Sequence, residues 1–237
     1  MSLVTTIQRH KPLLYWRGRP STASGILLDY SGNGLNSTSS AGAPRRVPAP
    51  LPGDPINGWA VDAGDSSFFL GSPITGFNAS EGTILTFIKI KDYTGGGNRG
   101  LFDTAPGAVG ALRIFTQDDF TATFRRDVGG DPGAGSVSTA VLNEKSNVAE
   151  AHFNMWCLHW ITGYNYVTVD TRLVSDGYSW SQTPASTNFA WGSVNGGSIR
   201  GGSILHSIAV FDRSLDGPEL NAIYKAAYTP ISRHKDF

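Results

Sequence analysis

The chain has 237 residues, including 29 Gly and 13 Pro, and only 16% of it is Asp, Glu, Lys or Arg. Nineteen bases balance nineteen acids, so the formal net charge is zero; gripping phosphate backbones needs surplus positive charge, and that class of function is excluded. An apolar share of 40% excludes global disorder, no run of 18 apolar residues is present to span a membrane, and the lone Cys157 excludes an internal disulfide framework.

From the N-terminus, Met1–Lys11 holds no apolar run of signal-peptide length, and the chain is expected to fold in a cytosol. Short apolar runs punctuated by Gly, Pro, Asn and Asp then predict strands at Leu13–Arg17, Ser67–Leu70, Thr83–Lys91, Ala111–Phe115 and Thr121–Arg125, and further on at Trp156–Ile161, Tyr166–Val169 and Ile204–Phe211. In Thr83–Lys91, Ile84, Thr86, Ile88 and Ile90 alternate with Leu85 and Phe87, which predicts a central strand buried on both faces. In Trp156–Ile161, Trp156, Leu158 and Trp160 share one face, and Cys157 and His159 share the other. Pro44–Pro55 reads as an extended, semi-rigid loop and Asp127–Ser138 as a mobile Gly-rich one. Near the C-terminus Asp216 and Glu219 form a capping box. Leu220, Ile223, Tyr224, Ala227 and Tyr228 follow as one helical stripe that Pro230 ends. The fold class expected is all-β, a single antiparallel sandwich over residues 1–237 with one short C-terminal helix.

Four blocks resemble the laminin-G-like jelly rolls, the concanavalin A-like lectin/glucanase family. They are Tyr15-Trp16 with the Leu28–Thr38 segment (LDYSGNGLNST), Asp65–Ile90, Trp156–Val174 with its VTVDTRLV hairpin, and Gly202–Tyr224 with IAVFDRSL and the capped helix. The resemblance implies the jelly-roll fold. It also implies a calcium site in some relatives, for which Asp29 and Asn33 are the candidates here. Where relatives carry an Asp before the last strand this chain has His206, and an imidazole suits a hard cation poorly. The hairpin Gly of the family is replaced by Thr171, which predicts a different turn.

The glycanase branch of this fold needs an E-x-D-x-x-E pattern, and none of Glu81, Glu144, Glu150 and Glu219 has an Asp two residues later. Gly95–Gly100 matches G-x-G-x-x-G, but no helix pattern follows, so it reads as a hairpin connection. Cys157, His159 and His152 lack the partners that complete a zinc or nucleophile site. Aromatic rings remain, because the apolar face of a pyranose stacks on indole or phenol. Trp16, Trp156 and Trp160 fall on strand patterns and read as core. Trp59, Tyr164, Tyr178, Trp180 and Trp191 fall in polar loops and are the candidates for glycan or partner contact.

These readings lead to the expectation of a non-enzymatic virion structural protein, a bacteriophage decoration or accessory protein on capsid or tail. Lectin-like sandwiches of this family work outside cells, and a phage protein can fold in a host cytosol and meet the exterior after lysis. The expected partners are other virion proteins or its own copies, as a homo-oligomer, with cell-surface glycans as adhesion targets. Neither nucleic acid nor membrane insertion is expected. The alternative is a carbohydrate-binding, lectin-like module in cell-surface adhesion.

Overall fold

A computed structural model describes residues 1–20, 26–41, 44–48, 51–56, 58–61, 68–90, 99–106, 108, 110–116, 123–128, 136–138, 153–173, 178–179, 183–194, 199–200 and 203–230. The elements begin with α1 (Leu3–Arg9), β1 (Leu14–Pro20), β2 (Leu27–Asp29), β3 (Ser37–Ala41), β4 (Arg45–Val47), β5 (Gly58–Val61), β6 (Phe68–Gly71) and β7 (Glu81–Ile90). There follow β8 (Arg99–Asp103), β9 (Leu112–Thr116), β10 (Thr123–Val128), β11 (Ser136–Ser138), β12 (Asn154–Ile161) and β13 (Tyr164–Val169). The last are β14 (Arg172–Leu173), β15 (Tyr178–Ser179), β16 (Phe189–Trp191), β17 (Ser193–Val194), β18 (Ile199–Arg200), β19 (Ser203–Phe211) and α2 (Gly217–Tyr228).

Two large sheets result. The larger runs β14–β13–β12–β7–β19–β1–β2, with β5 also on β19, β4 on β5 and β15 on β13. The smaller runs β11–β10–β9–β8–β16–β6–β3. The pairings that build them, such as β7 with β12 and with β19, are antiparallel. The expected all-β sandwich with a C-terminal helix is what forms.

Side-chain alternation decides how the layers stack. Ile84, Ile88, Trp156, Leu158, Trp160, Ile208 and Val210 of the larger sheet join Phe69, Phe102, Ile114, Phe189 and Trp191 of the smaller in one core. The intervening residues Leu85, Phe87, Met155, Cys157, Ala209 and Phe211 pack instead with Leu3 and Ile7 of α1 and Leu220, Ile223 and Ala227 of α2. The central strand β7 is therefore buried on both faces, as its composition requires. Two glycines make room for the indoles. A Cβ on Gly82, which lies opposite Trp160, would come 2.1 Å from that ring, and one on Gly71 would come 2.6 Å from Trp16. The indole N–H groups are satisfied at loops: Trp16 donates to Leu35 O at 2.7 Å and Trp160 to Asn78 O at 2.8 Å.

Three features depart from the sequence reading. First, Leu3–Arg9 is a helix, capped by Ser2 Oγ, which accepts from Thr5 N at 3.2 Å. Its apolar stripe is only Leu3 and Ile7, one turn apart, too short to register as a periodicity. Second, the segment 44–55 is not simply an extended loop. Residues 45–47 are strand, and 51–54 pack under the helices, where Gly53 N donates to Ala227 O at 2.8 Å. Buried Asp54 there takes both Nε and Nη2 of buried Arg17. Third, both ends of the expected Gly-rich loop Asp127–Ser138 belong to strands, β10 and β11. The predicted helix forms with its box intact. Glu219 N donates to Asp216 Oδ1 at 2.8 Å and Asp216 N to Glu219 Oε2 at 3.0 Å. Arg213 forms a bidentate pair with Glu219 at 2.8 and 2.6 Å, which His10, the residue capping the end of α1, joins at 3.2 Å.

Candidate functional site

The five aromatic candidates separate. Trp59 is 5% exposed and Trp191 is fully buried, so both are core rather than contact residues, which corrects their reading as loop aromatics. Each satisfies its indole N–H internally, Trp59 on Gly18 O at 2.9 Å and Trp191 on Thr86 Oγ1 at 3.0 Å. Trp59 and Trp191 lie on the short strands β5 and β16 rather than in loops. Tyr164 opens β13 and is exposed. Tyr178 lies on β15, opposite Asn165, while Ser179 is opposite Tyr164, so the pairing brings two of the five onto neighbouring strands. Trp180 lies outside the described residues, as does His152.

The proposed calcium ligands are already occupied by the chain. Asp29 Oδ1 accepts from Tyr15 N and Ser31 N, both at 2.9 Å, and Oδ2 accepts from Ser31 Oγ at 2.7 Å and Leu35 N at 2.9 Å. Four donors fill the carboxylate's lone-pair positions. Asn33 turns its amide nitrogen to Leu13 O at 2.9 Å and Pro12 O at 3.3 Å, a donor that repels a cation. The turn, with Gly32 and Gly34 at φ +93° and +74°, is a self-contained clamp on the start of β1. The cation reading of Asp29 and Asn33 is corrected accordingly. Among the described residues no three of His, Cys, Asp and Glu converge to hold a metal.

Exposed apolar side chains converge elsewhere. Apart from Met1, the exposed large hydrophobics among the described residues are Ile161 (43%), Tyr164 (36%) and Leu173 (61%). All three belong to the β12–β13–β14 edge of the larger sheet, on the face that carries α2. Ile161 pairs with Tyr164 and with Glu81, and Leu173 pairs with Thr168. Between them Tyr166 is half-buried, its ring lying parallel to His159 with centroids 4.5 Å apart, and its hydroxyl 3.3 Å from Ser214 Oγ. His159 is buried and hydrogen-bonded through both ring nitrogens, to Thr83 at 3.2 Å and Thr168 at 3.3 Å. Burial lowers its pKa to about 4, so the ring is a neutral support. Cys157 beside it is equally inert as a nucleophile, because burial pushes its thiol up to about 12.

The strip ends at the β13–β14 hairpin, where Asp170 and Thr171 both take positive φ, 50° and 69°. Arg172 is exposed there; the Tyr224 phenol of α2 has its pKa raised by burial and by the charge of Asp170, with Arg172 opposing them. Sequence reasoning starts this strand at Tyr166; extending the alternation back two residues, Tyr164-x-Tyr166-x-Thr168, is the signal that puts Tyr166 on the same side as Tyr164. Ile161 and Leu173 carry no such signal, because only the pairing of β12 and β14 with β13 brings them to this edge.

No family model matches the chain, and no curated protein sequence does. Solved structures do. The chain is similar to Trypanosoma rangeli sialidase in complex with 2,3-difluorosialic acid, with TM-score 0.66 at 12% identity, over 94% of this chain and 37% of that one. The same sialidase in complex with sialic acid gives 0.64 at 12% identity, over 89% and 32%. The receptor binding domain of botulinum neurotoxin C/D mosaic serotype gives 0.66 at 9% identity, over 93% and 55%. The chain thus spans about a third of the sialidase chains and about half of the toxin domain. At such identities the likeness speaks for the fold. It also overturns the expectation that the chain is not an enzyme. Chains of sialidases contain this sandwich, so neither the fold nor the missing E-x-D-x-x-E spacing excludes a glycosidase-like protein.

Proposed function

We propose that the chain is a recognition module of the concanavalin A-like kind, working as an accessory protein on a virus particle, and that its recognition face is the β12–β13–β14 edge. The observation that carries the reading is the convergence of Ile161, Tyr164 and Leu173 on one edge of one sheet, where the fold gains nothing from leaving them in water. Ile161, Tyr164 and Leu173 are each partly buried already, so covering the exposed remainder would be worth roughly 0.5–2 kcal/mol apiece, and a partner that covers them gains what folding left unused. The setting is supported by cysteine usage. The single buried Cys157 needs no oxidising compartment for folding. A second reading, a carbohydrate-binding module acting at a cell surface, is favoured by neighbours that include a receptor binding domain and sialidases in complex with sialic acid.

The test is quantitative mass spectrometry of particles purified from the source. The chain is expected at a copy number comparable to the major particle proteins, and its absence would reject the virion setting. Adsorption measured with Ile161→Lys/Leu173→Lys protein then tests the face. Both positions are exposed, so the fold survives while the contact does not.

A further inference from the structure

We propose that the strip along β13 takes an uncharged sugar chain, with pyranose rings stacked on Tyr166 and Tyr164. This rests on reading the edge as a recognition face. The two tyrosines sit two residues apart on one side of the strand, about 7 Å by strand geometry, so one extended ligand can meet both rings.

Tyr166 is fixed before any ligand arrives. His159 lies parallel to it at 8° and 4.5 Å, Ser214 is 3.3 Å from its hydroxyl, and His159 is itself tied to Thr83 and Thr168. A pre-set ring loses little rotamer freedom on binding. A pyranose offers an apolar C–H face and a hydroxylated rim. The first suits the electron-rich face of a phenol ring, and Ile161 and Leu173 extend the apolar floor on either side. The rim hydroxyls meet the tyrosine hydroxyls, which both donate and accept hydrogen bonds, and the exposed Glu81 carboxylate beside Ile161, which accepts them. Glu81 and Asp170 outnumber Arg172 along the strip, so it has no surplus of positive charge, which matches an uncharged ligand better than a phosphate or an acidic sugar. A peptide adding as a new strand is a poorer fit. The strands that flank β13 on its outer side, β14 and β15, are two residues each, too short to template a ladder.

The experiment is calorimetric titration of the full chain with maltohexaose, cellohexaose and chitohexaose, and separately with sialyllactose as an acidic probe. At least one neutral hexaose is expected to bind the parent, with Tyr164→Ala and Tyr166→Leu each weakening it tenfold or more and Tyr166→Phe, which keeps the ring, staying within threefold. Tyr164 is exposed, so Tyr164→Ala remains informative even if Tyr166→Leu unfolds. Binding of sialyllactose alone, no binding of any hexaose at millimolar concentration, or variants that bind like the parent would each overturn the proposal. Adsorption that is lost in Ile161→Lys/Leu173→Lys protein, together with no binding of any hexaose, defeats the ligand assignment alone and leaves the recognition face standing.

Discussion

Replacing Thr171 with Gly should stabilise the protein. Asp170 and Thr171 form a two-residue hairpin connection between Val169 and Arg172, and both have φ in the left-handed region. Such primed turns match the twist of the flanking strands but favour Asn, Asp and Gly. Asp170 is compensated there, because its carboxylate accepts from Asn154 Nδ2 at 2.6 Å and Met155 N at 2.9 Å. Thr171 is β-branched and exposed at φ 69°, so it carries the steric cost without packing in return. That cost is about 1–2 kcal/mol, and the extra backbone freedom a Gly loses on folding takes back about 0.5–1 kcal/mol. The net gain expected is about 0.5–1 kcal/mol, a rise in Tm of roughly 1–4 °C for a chain of this size. Urea and thermal unfolding of the parent, Thr171→Gly, Thr171→Ala and Asp170→Gly would measure it. Thr171→Ala should change little, since it keeps a Cβ in the left-handed region. Asp170→Gly should destabilise by about 1–3 kcal/mol through loss of the hydrogen bonds to the carboxylate. A Thr171→Gly protein no more stable than the parent, or an Asp170→Gly protein that gains as much, would refute the reasoning.

Gly82→Ala drives a methyl into the Trp160 ring and the Phe211 carbonyl, and should lower the urea midpoint by an amount worth about 1–3 kcal/mol; an unchanged midpoint sinks the cradle. Arg17→Met leaves the Asp54 carboxylate buried and unpaired, at a cost of about 3–5 kcal/mol, and Arg17→Met/Asp54→Leu should recover most of that in a denaturation cycle. His159 and His206 are held neutral by burial, each with a pKa near 4 against an ordinary 6.5. Between those values the unfolded chain binds more protons than the folded one. Stability should therefore be flat above pH 6.5 and fall as pH drops toward 4, and His159→Gln should flatten that slope in a pH series of urea midpoints. Glu219 is held down to about 2, first by its hydrogen bonds from Arg213, so its contribution is complete above pH 4.5 and lost as pH falls to about 2; Glu219→Gln should remove a loss of order 1 kcal/mol across that window.

Periodicity was enough to read the frame. The two-faced strand at Thr83–Lys91, the Trp156/Leu158/Trp160 face, the last strand and the capped helix are all legible because their apolar spacing repeats and their caps are chemical signatures. What spacing cannot express is which layer covers an apolar face. Leu3 and Ile7 mean little until β7, β12 and β19 present Leu85, Met155 and Phe211 for them to cover. Trp59 and Trp191 read as surface rings because their neighbours are small and polar, yet each is buried in the core between the two sheets. The recognition edge shows the same limit. Tyr164, Tyr166 and Leu173 are ordinary strand residues in sequence, and only the β12–β13–β14 register sets them side by side beyond the cover of α2. Alternation assigns a residue to a side of its own strand, whereas burial depends on what long-range pairing brings to that side, and that is decided by the assembled layers.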